Sequence, residues 1–404
     1  MSTMSDPTQP VFRLSMLVND TRYRGITFQI IAFFAIVFLF GWMAWNATQN
    51  LAALGQNISY GFLGEGAGYD INQKLIPYAS TDTHLRAAFV GILNTLLVAF
   101  LGCITATIIG VTVGVLRLSN NWLVAKLMSG YVEIFRNVPV LIWILIIFSV
   151  MSNALPAPSA FRGENATASM VMDAFAFTNR GVYIPRPVWE PGSWMVVTVF
   201  FLSIVGIFAL RRYAVKLLFD TGREIPVLKL SLAIFFVPTL LVYFLTGMPI
   251  SLAYPSLQGF NFQGGIQIFG SLIGLWFALA LYTGAFIAEN VRGGIMSVSK
   301  GQTEAAAALG MRPGRIMRLV ILPQALRVII PPLISQYLNL TKNSSLAAAV
   351  GYMDITGTLG GITLNQTGRS FEAILLLMLF YLIISLSIAG VMNIYNNAIK
   401  LKER

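Results

Sequence analysis

The chain has few of the residues that covalent chemistry needs. Its 404 residues include one cysteine, Cys103, and one histidine, His84. A single cysteine cannot form an intramolecular disulfide or a thiolate metal site, and Cys103 lies in an apolar run, where it is expected to pack. A single histidine excludes a cluster of histidine metal ligands, and we expect His84 to be a solvated loop residue.

Nucleotide and catalytic motifs are also missing from the sequence. It has no glycine-rich loop ending in Gly–Lys–Ser/Thr, so we expect no ATP hydrolysis by this chain itself. No pair of carboxylates lies within an apolar run, and a Ser–His–Asp set would have to use His84. These absences predict a protein that is not an enzyme and that needs no metal or other cofactor.

Charged residues are too scarce for a soluble protein. They make up 11% of the chain, whereas soluble domains carry about 25%. With 56% hydrophobic residues and a mean hydropathy of +0.73, the composition predicts an all-α integral membrane protein. About eight apolar runs are near the length of about 20 residues that a spanning helix needs, and the first is too long for a cleaved signal peptide, so it is expected to remain as an anchor. The predicted spans are Ile26–Ala47, Ala88–Leu116, Val138–Leu155, Trp194–Leu210, Leu230–Thr246, Ile266–Ala288, Val328–Val350 and Phe371–Asn393.

The lysines and arginines follow the alternation of these spans. With the N-terminus placed in the cytoplasm, 20 of the 27 basic residues fall in cytoplasmic segments and six in outer segments. Cytoplasmic loops of membrane proteins carry this excess. The sequence therefore predicts a multi-pass protein with a cytoplasmic N-terminus. Because the bias explains the net charge of +11, no nucleic acid partner is required.

A polar, basic stretch between the sixth and seventh spans is predicted to form an elbow of two short helices. Glu304 is followed by Ala305–Ala308, which favour a helix and give it a smooth face. We expect Thr303 to cap this helix and Glu304 to complement the positive end of its dipole. Gly310 can adopt the left-handed conformation that ends a helix, and Pro313 can begin the next one. The charge bias places this elbow on the cytoplasmic side.

The seventh span is unusually polar for a membrane helix. After Pro331–Pro332, the residues Gln336, Asn339 and Asn343 recur at helical spacing, with Lys342 beside them. Lipid would leave these groups without partners, so we expect them to face protein or a wet cavity. Two interpretations remain open, a polar seam between helices or subunits and the lining of a substrate path. Lys342 favours the path slightly, because a buried ammonium needs a counter-charge or water.

Other polar or small residues in the spans give weaker signals. Asn94 and Thr95, early in the second span, are candidates for the same substrate path. Glu289 is expected to pair with Arg292 as a structural salt bridge in preference to a role in transport. The glycine pair Gly110–Gly114, four residues apart, is expected to let two helices pack closely.

Four segments occur in an order and spacing that is more specific than any one of them. They are Asn94–Leu97, Tyr131–Pro139, Tyr282–Gln302 leading into the elbow, and Leu322–Arg327 followed by Lys342–Leu346. Together they resemble the polar amino-acid uptake family of ABC importer permeases, over about 85–155 and 266–397. Two departures are visible: Val138 replaces the Thr of the family's Arg–x–Thr–Pro motif, and Asn343 stands where the family often has Asp. The second weakens any assignment of a counter-charge for Lys342.

The resemblance implies a type I ABC importer permease core with an N-terminal anchor helix and an inserted helix pair. It divides the chain into 1–84 with the cytoplasmic N-terminus, anchor helix and periplasmic loop, 85–155 with the first part of the core, 156–265 with the inserted loop and helix pair, and 266–404 with the second part of the core and the coupling loop. The length of the chain and its inserted helix pair look most like the larger permease of general L-amino-acid systems, or of the related glutamate/glutamine/aspartate/asparagine systems.

The resemblance also implies partners and a mechanism. The elbow would dock on a cytoplasmic ATP-binding subunit, beside a second related permease subunit, and a periplasmic amino-acid-binding protein would deliver substrate. The residues implied in coupling are Glu304, Ala305, Ala306, Gly310, Arg312 and Arg315, of which the arginines would meet either acidic groups of that subunit or membrane lipid headgroups. The function expected is a permease that imports L-amino acids across the bacterial inner membrane. An ATP-independent transporter or channel is the alternative, although it gives no reason for the elbow.

Overall fold

The computed structural model of this protein describes residues 15–53, 55, 57–163 and 166–399. It is mostly helical, and eight segments of the described chain are long and apolar enough to cross a membrane, which confirms the predicted fold class. The predicted cytoplasmic basic residues Arg13, Lys400, Lys402 and Arg404 lie outside the described residues. The eight spans are Tyr23–Ala53, His84–Leu116, Val140–Phe161, Ser193–Thr221, Val227–Leu245, Gly270–Met296, Pro313–Val350 and Ser370–Asn396.

The helices vary from single turns to more than thirty residues. In chain order they are α1 (Met16–Asn19), α2 (Thr21–Ala53), α3 (His84–Leu116), α4 (Trp122–Asn137), α5 (Val140–Ala154), α6 (Ser193–Thr221), α7 (Val227–Leu245), α8 (Gly270–Met296), α9 (Lys300–Ala308), α10 (Pro313–Ile316), α11 (Leu322–Asn343), α12 (Ile355–Gly357), α13 (Leu364–Thr367) and α14 (Ser370–Ile399). Turns of 3₁₀ helix cover Gly61–Gly64, Pro158–Phe161 and Ser344–Val350, and π-helical turns cover Met317–Ile321 and Thr358–Thr363.

In the described ranges, seven short strands, which the sequence did not predict, join the helices at one end of the bundle. They form three antiparallel groups, in the orders β1-β2-β7, β3-β4 and β5-β6. The strands are β1 (Ala176–Thr178), β2 (Gly181–Ile184), β3 (Arg186–Trp189), β4 (Ile250–Ala253), β5 (Ser256–Gln258), β6 (Asn261–Gln263) and β7 (Ile266–Phe269). We call this end of the bundle the strand side, and the opposite end, which carries α9, the coupling side.

Helix α8 lies at the centre of the bundle. In its apolar stretch 61% of residues are buried, against none in α2, so α8 faces other helices where α2 faces outward. Leu275, Leu279 and Ile287 of α8 are fully buried in a cluster with Ile144 of α5 and Leu340 of α11. A helix that is apolar on all sides packs in this way when neighbours surround it.

Helices α3 and α8 approach each other closely because glycines line their contact. A Cβ at Gly110 would lie 2.5 Å from the Cβ of Ile287, and one at Gly114 would lie 2.7 Å from the backbone oxygen of Ala288. On the facing helix, a Cβ at Gly284 would lie 3.0 Å from Cγ2 of Ile109. The predicted packing role of the Gly110–Gly114 pair is therefore confirmed.

The bounds of all eight spans differ from the predicted ones, and the sixth and seventh differ for identifiable reasons. The sixth begins at Gly270, because Ile266–Phe269 pairs with β2 as a strand, and it continues to Met296. In the seventh, the α-helix begins at Leu322 and passes through Pro331–Pro332. Prolines are tolerated inside membrane helices when neighbouring groups satisfy the freed backbone atoms.

The prediction that His84 is a solvated loop residue is wrong. Its exposed fraction is 3%, and its Nδ1 lies 3.0 Å from Oγ1 of Thr363. The hydroxyl of Tyr69 lies 3.1 Å from the same oxygen. The error arose because Thr83 caps α3 immediately before His84, and the preceding loop folds over this helix start.

The inserted helices α6 and α7 form an antiparallel hairpin. Strands β3 and β4 pair at its strand-side end, from Arg186 opposite Ala253 to Trp189 opposite Ile250. Within the hairpin the rings of Phe200 and Phe235 meet with centroids 5.3 Å apart. An inserted pair of spans returns the chain to the side it left, so the order of the flanking helices across the membrane is preserved.

We expect Gly110→Ala to lower the free energy of unfolding by about 1–3 kcal/mol, the cost of forcing a methyl group into a filled contact. The matched control is Gly390→Ala in α14, where a Cβ meets nothing within 4 Å. That change should be neutral or slightly stabilising, since alanine favours helix. Thermal unfolding in detergent micelles measures both. Equal effects of the two substitutions would contradict the assignment of Gly110 to a tight contact.

Candidate coupling site and polar path

The first helix of the elbow is present but begins earlier than the sequence predicted. α9 runs from Lys300 to Ala308, and Oγ of Ser299 caps it by accepting a hydrogen bond from the Gly301 amide at 3.3 Å. The predicted cap at Thr303 is therefore wrong, and Glu304 lies beyond the first turn, where its charge does not complement the dipole. Ser299, four positions earlier, is also of a residue type that caps helices, and sequence reasoning missed it.

Gly310 ends α9 as predicted. Its φ angle is +74°, and its amide donates to the oxygen of Ala307 at 2.9 Å. The Met311 amide donates to the oxygen of Ala306 at 3.3 Å, which completes a Schellman motif. Arg312 then precedes α10, whose first residue is Pro313, the second predicted feature of the elbow.

The predicted coupling residues do not all face outward. Ala306 is 5% exposed and points into the elbow, whereas Glu304 and Ala305 are exposed. Leu309, which sequence reasoning missed, is 83% exposed next to Gly310. An apolar residue at a helix end beside a glycine stop is the signal that could have identified it. Arg312 and Arg315 are also exposed.

The predicted path residues of the seventh span, Gln336, Asn339, Lys342 and Asn343, lie on α11, and their side chains make no hydrogen bond or ion pair with the described residues. Asn339 and Lys342 are exposed, and Gln336 and Asn343 are half-buried. Among the described residues, no ion pair includes Lys342. This face is thus free to meet a second subunit, water or a substrate, which fits both interpretations of the sequence.

Asn94 and Thr95 occupy a different environment, since both are fully buried. The Asn94 amide group donates to the backbone oxygens of Gln73 at 2.7 Å and Met353 at 2.8 Å. The Thr95 hydroxyl oxygen accepts a hydrogen bond from the Ile355 amide at 3.1 Å. The two side chains therefore fasten the segment that follows α11 to α3.

Gly91, one turn before Thr95, makes this docking possible and was not singled out from the sequence. A Cβ at Gly91 would lie 2.9 Å from the backbone oxygen of Asp354 and 2.9 Å from Cα of Ile355. The signal was its spacing, because Gly91 and Thr95 are four residues apart and share one helix face.

Asp354 is a buried carboxylate in the docked segment. Its Oδ1 accepts a hydrogen bond from the Gly357 amide at 2.8 Å, and its exposed fraction is 0%. Burial raises the pKa of the Asp354 carboxyl to about 6, while the Gly357 hydrogen bond acts in the opposite direction. The hydroxyl of Tyr381 on α14 lies 3.4 Å from Oδ2, so Asp354 also connects this segment to the last helix.

The predicted pair between Glu289 and Arg292 is confirmed, with 2.5 Å between Oε1 and a guanidinium nitrogen. Two further arginines, Arg117 and Arg136, also lie at this carboxylate. Sequence reasoning missed them because they belong to α4 and to the end of α3.

The spans, the elbow and the polar face of α11 together define a multi-pass helical membrane permease. The family model described as "Binding-protein-dependent transport system inner membrane component" matches residues 205–401. The chain is 50% identical to the glutamate/glutamine/aspartate/asparagine transport system permease protein BztB of Rhodobacter capsulatus, with 100% of both chains covered. It is 42% identical to the general L-amino acid transport system permease protein AapQ of Rhizobium johnstonii, over 97% of this chain and 96% of that one. The chain therefore belongs to the family of amino-acid ABC transporter permeases.

A crystal structure of an amino acid ABC transporter with histidines also resembles this chain. The TM-score is 0.45 at 19% identity, with 78% of this chain and 95% of that chain covered. The family assignment rests on the full-length relatives, which favour the importer permease over the alternative of an ATP-independent transporter.

We expect the Asp354→Asn variant to lose a pH dependence that the wild-type protein shows. Because burial raises the folded pKa above the unfolded value, the protonated carboxyl fits the native state better. Stability is therefore present at low pH and is lost as pH rises through about 6, by up to about 3 kcal/mol. Asn keeps an oxygen for the Gly357 amide but cannot ionise. Thermal unfolding at pH 5 and pH 8 should show the variant gaining relative to wild type at pH 8.

Asp82, a half-buried carboxylate outside this segment, gives the control, since Asp82→Asn should keep the wild-type difference between pH 5 and pH 8. If wild type and the Asp354→Asn variant respond to pH in parallel, the buried carboxylate does not titrate as described.

Proposed function

We propose that this chain is the membrane permease subunit through which L-amino acids enter a bacterial cell, powered by separate ATP-binding subunits. The observation that carries the proposal is the elbow. α9 presents Glu304 and Ala305 outward, and Leu309 beside Gly310 is 83% exposed. The exposed charge of Glu304 and the exposed apolar side chain of Leu309 give this elbow both polar and apolar groups that a partner can cover.

The ATP-binding subunits supply the energy because this chain has no glycine-rich nucleotide loop. Their closure on ATP would draw the elbows of two permease subunits together and change the path from inward-facing to outward-facing. The second permease subunit is a related chain, and a periplasmic binding protein presents the amino acid to the opened path. Arg312 and Arg315 lie where they can meet acidic groups of the ATP-binding subunit or lipid headgroups.

In this proposal the protein lies in the inner membrane. Its coupling side and its N-terminus both face the cytoplasm. The excess of basic residues supports this orientation. The exposed apolar surface of α2 faces lipid, which agrees with the complete lack of buried residues in its apolar stretch.

The substrate path follows the polar face of α11, with Gln336, Asn339, Lys342 and Asn343 lining it. Lys342 has no ion pair within the described chain, so a substrate carboxylate or water can meet its charge. Asn94 and Thr95 contribute to the path as supports, because their hydrogen bonds hold its wall on the strand side. The substrates are L-amino acids, including the acidic ones and their amides, as the names of the relatives BztB and AapQ suggest.

We expect Gly310→Val to abolish ATP-dependent uptake while the chain remains in the membrane. A β-branched residue cannot easily hold a φ of +74°, so the elbow would lose its shape. The matched control is Gly222→Val, at a glycine that ends α6 on the same side with a φ of +68° and open space around it. Both variants carry the same strain, but only the first lies in the elbow.

Amino acid uptake by the complete transporter measures this loss, and binding of the purified ATP-binding subunit to membrane vesicles that carry the permease tests whether lost docking causes it. Inside-out vesicles with wild-type chain or the Gly222→Val variant should bind it, and right-side-out vesicles should not. Full binding to the Gly310→Val variant would contradict the coupling assignment, and binding to right-side-out vesicles would contradict the orientation.

We expect Lys342→Ala to reduce uptake at least about tenfold, the effect of losing roughly 1.4 kcal/mol of substrate interaction. The two permease subunits should still co-purify. Lys126→Ala is the control, at another exposed lysine without an ion pair among the described residues. Unchanged uptake would contradict the proposal that Lys342 lines the substrate path. Separation of the two permease subunits would instead support a polar seam between them.

A further inference from the structure

One carboxylate joins three helices at the coupling side of the bundle. Oε2 of Glu289 on α8 accepts a hydrogen bond from Arg117, the residue that ends α3, and lies 3.8 Å from a guanidinium nitrogen of Arg136 on α4. Oε1 of the same residue accepts a hydrogen bond from Arg292 at 2.5 Å. We call Glu289 and these three arginines the carboxylate hub.

The arginines are held from more than one direction. Nε of Arg117 donates to Oγ of Ser129 on α4 at 3.3 Å, and the Arg136 guanidinium lies 5.3 Å from the centre of the Phe286 ring on α8. The side chain of Arg117 is only 11% exposed, so salt and water screen its ion pair less than those of surface pairs. The hub therefore fixes the positions of α3 and α4 relative to α8.

Within the described part of the chain, Glu289 is also the only carboxylate that pairs with these arginines. Among the described residues, no other carboxylate lies within ion-pair distance of Arg117, Arg136 or Arg292. Without Glu289, three positive charges would face one another across the ends of three helices. Repulsion would then replace the attraction that holds these ends together.

The hub lies close to the elbow along the chain. Met296 ends α8, and only Ser297–Ser299 separate it from α9. This connection is itself hydrogen-bonded, since the Ser297 amide donates to the Gly293 oxygen at 2.9 Å and its hydroxyl donates to the Gly294 oxygen at 2.8 Å. A displacement of α9 is thus delivered to the end of α8, about two helical turns from Glu289.

We propose that Glu289 is a positioning residue for energy coupling, which makes the coupling-side ends of α3, α4 and α8 move as one unit with the elbow. The inference rests on the proposed function, since it concerns how ATP-driven motion reaches the path. It assigns Glu289 a role beyond a salt bridge that stabilises the fold. Single hydrogen bonds also join α8 to α3, from Trp276 Nε1 to Thr105 Oγ1, and to α4, from the Tyr131 hydroxyl to the Leu281 oxygen, but the hub holds α3 and α4 at one carboxylate near the elbow.

The test compares Glu289→Gln, Glu289→Asp and a control in the complete transporter reconstituted in vesicles. Gln keeps the shape and an acceptor oxygen but removes the charge, whereas Asp keeps the charge with a shorter reach. The control is Asp82→Asn, which breaks an i,i+4 pair with Arg86 on the strand side. For each protein, ATP hydrolysis, amino acid uptake and thermal stability are measured on the same preparation.

We expect the Glu289→Gln variant to assemble and hydrolyse ATP within about twofold of wild type, while the amount of amino acid carried per ATP falls about tenfold or more. The Glu289→Asp variant should recover part of this ratio, and the Asp82→Asn variant should match wild type. A Glu289→Gln variant that keeps the wild-type ratio, or whose uptake and ATP hydrolysis fall together with the amount of folded complex, would overturn the inference. If wild type itself shows no ATP-dependent uptake, the proposed function fails, which is a different result.

Discussion

The close packing of α3 against α8 is the contact on which the rest of the structure depends. Glycines on both helices let them run side by side, with Gly110 against Ile287 and Gly114 against Ala288. Because the contact continues toward both ends, it determines what α3 can reach. At the coupling side it brings Arg117 to Glu289, and at the strand side it supports the part of α3 that holds the segment after α11. Larger side chains along this contact would move both ends at once.

Exclusion of water from the bilayer explains how polar groups are distributed over these helices. An unpaired polar atom is costly in lipid, and the Asn94 amide nitrogen and the Thr95 hydroxyl both make hydrogen bonds within the chain, although Oδ1 of Asn94 has no partner among the described residues. Lys342 has no comparable partner among the described residues. In the sequence, Asn94, Thr95 and Lys342 all looked like residues of a substrate path. In the structure, Asn94 and Thr95 are buried and hold two segments together, whereas Lys342 is exposed. This difference is why α11 carries the proposed path and α3 supports it.

Patterns that depend on composition and local spacing were predictable from the sequence. The eight spans, the helix stop at Gly310 and the Glu289–Arg292 pair all reflect neighbours within a few residues, and the structure confirms them. Contacts between distant parts of the chain were not predictable. The burial of His84 depends on Thr363, and the strands of the insertion require pairing of β2 with β7 across more than eighty residues. The cap at Ser299 is a local feature as well. It was missed because Thr303 is also of a residue type that caps helices.

The helices on either side of the elbow differ in the prolines and π-helical turns at which helices bend, and in the proposed coupling this difference would direct the motion of the elbow. α8 contains no proline and continues without a π-helical turn from Gly270 to Met296. After the elbow, the chain passes through the π-helical turn Met317–Ile321, and α11 then contains Pro331–Pro332, all of which are sites where helices bend. In the proposed coupling, a displacement of α9 would be absorbed in part on the α11 side and transmitted along α8. The carboxylate hub lies on the stiff side, where a single carboxylate can engage α3 and α4 in the same movement.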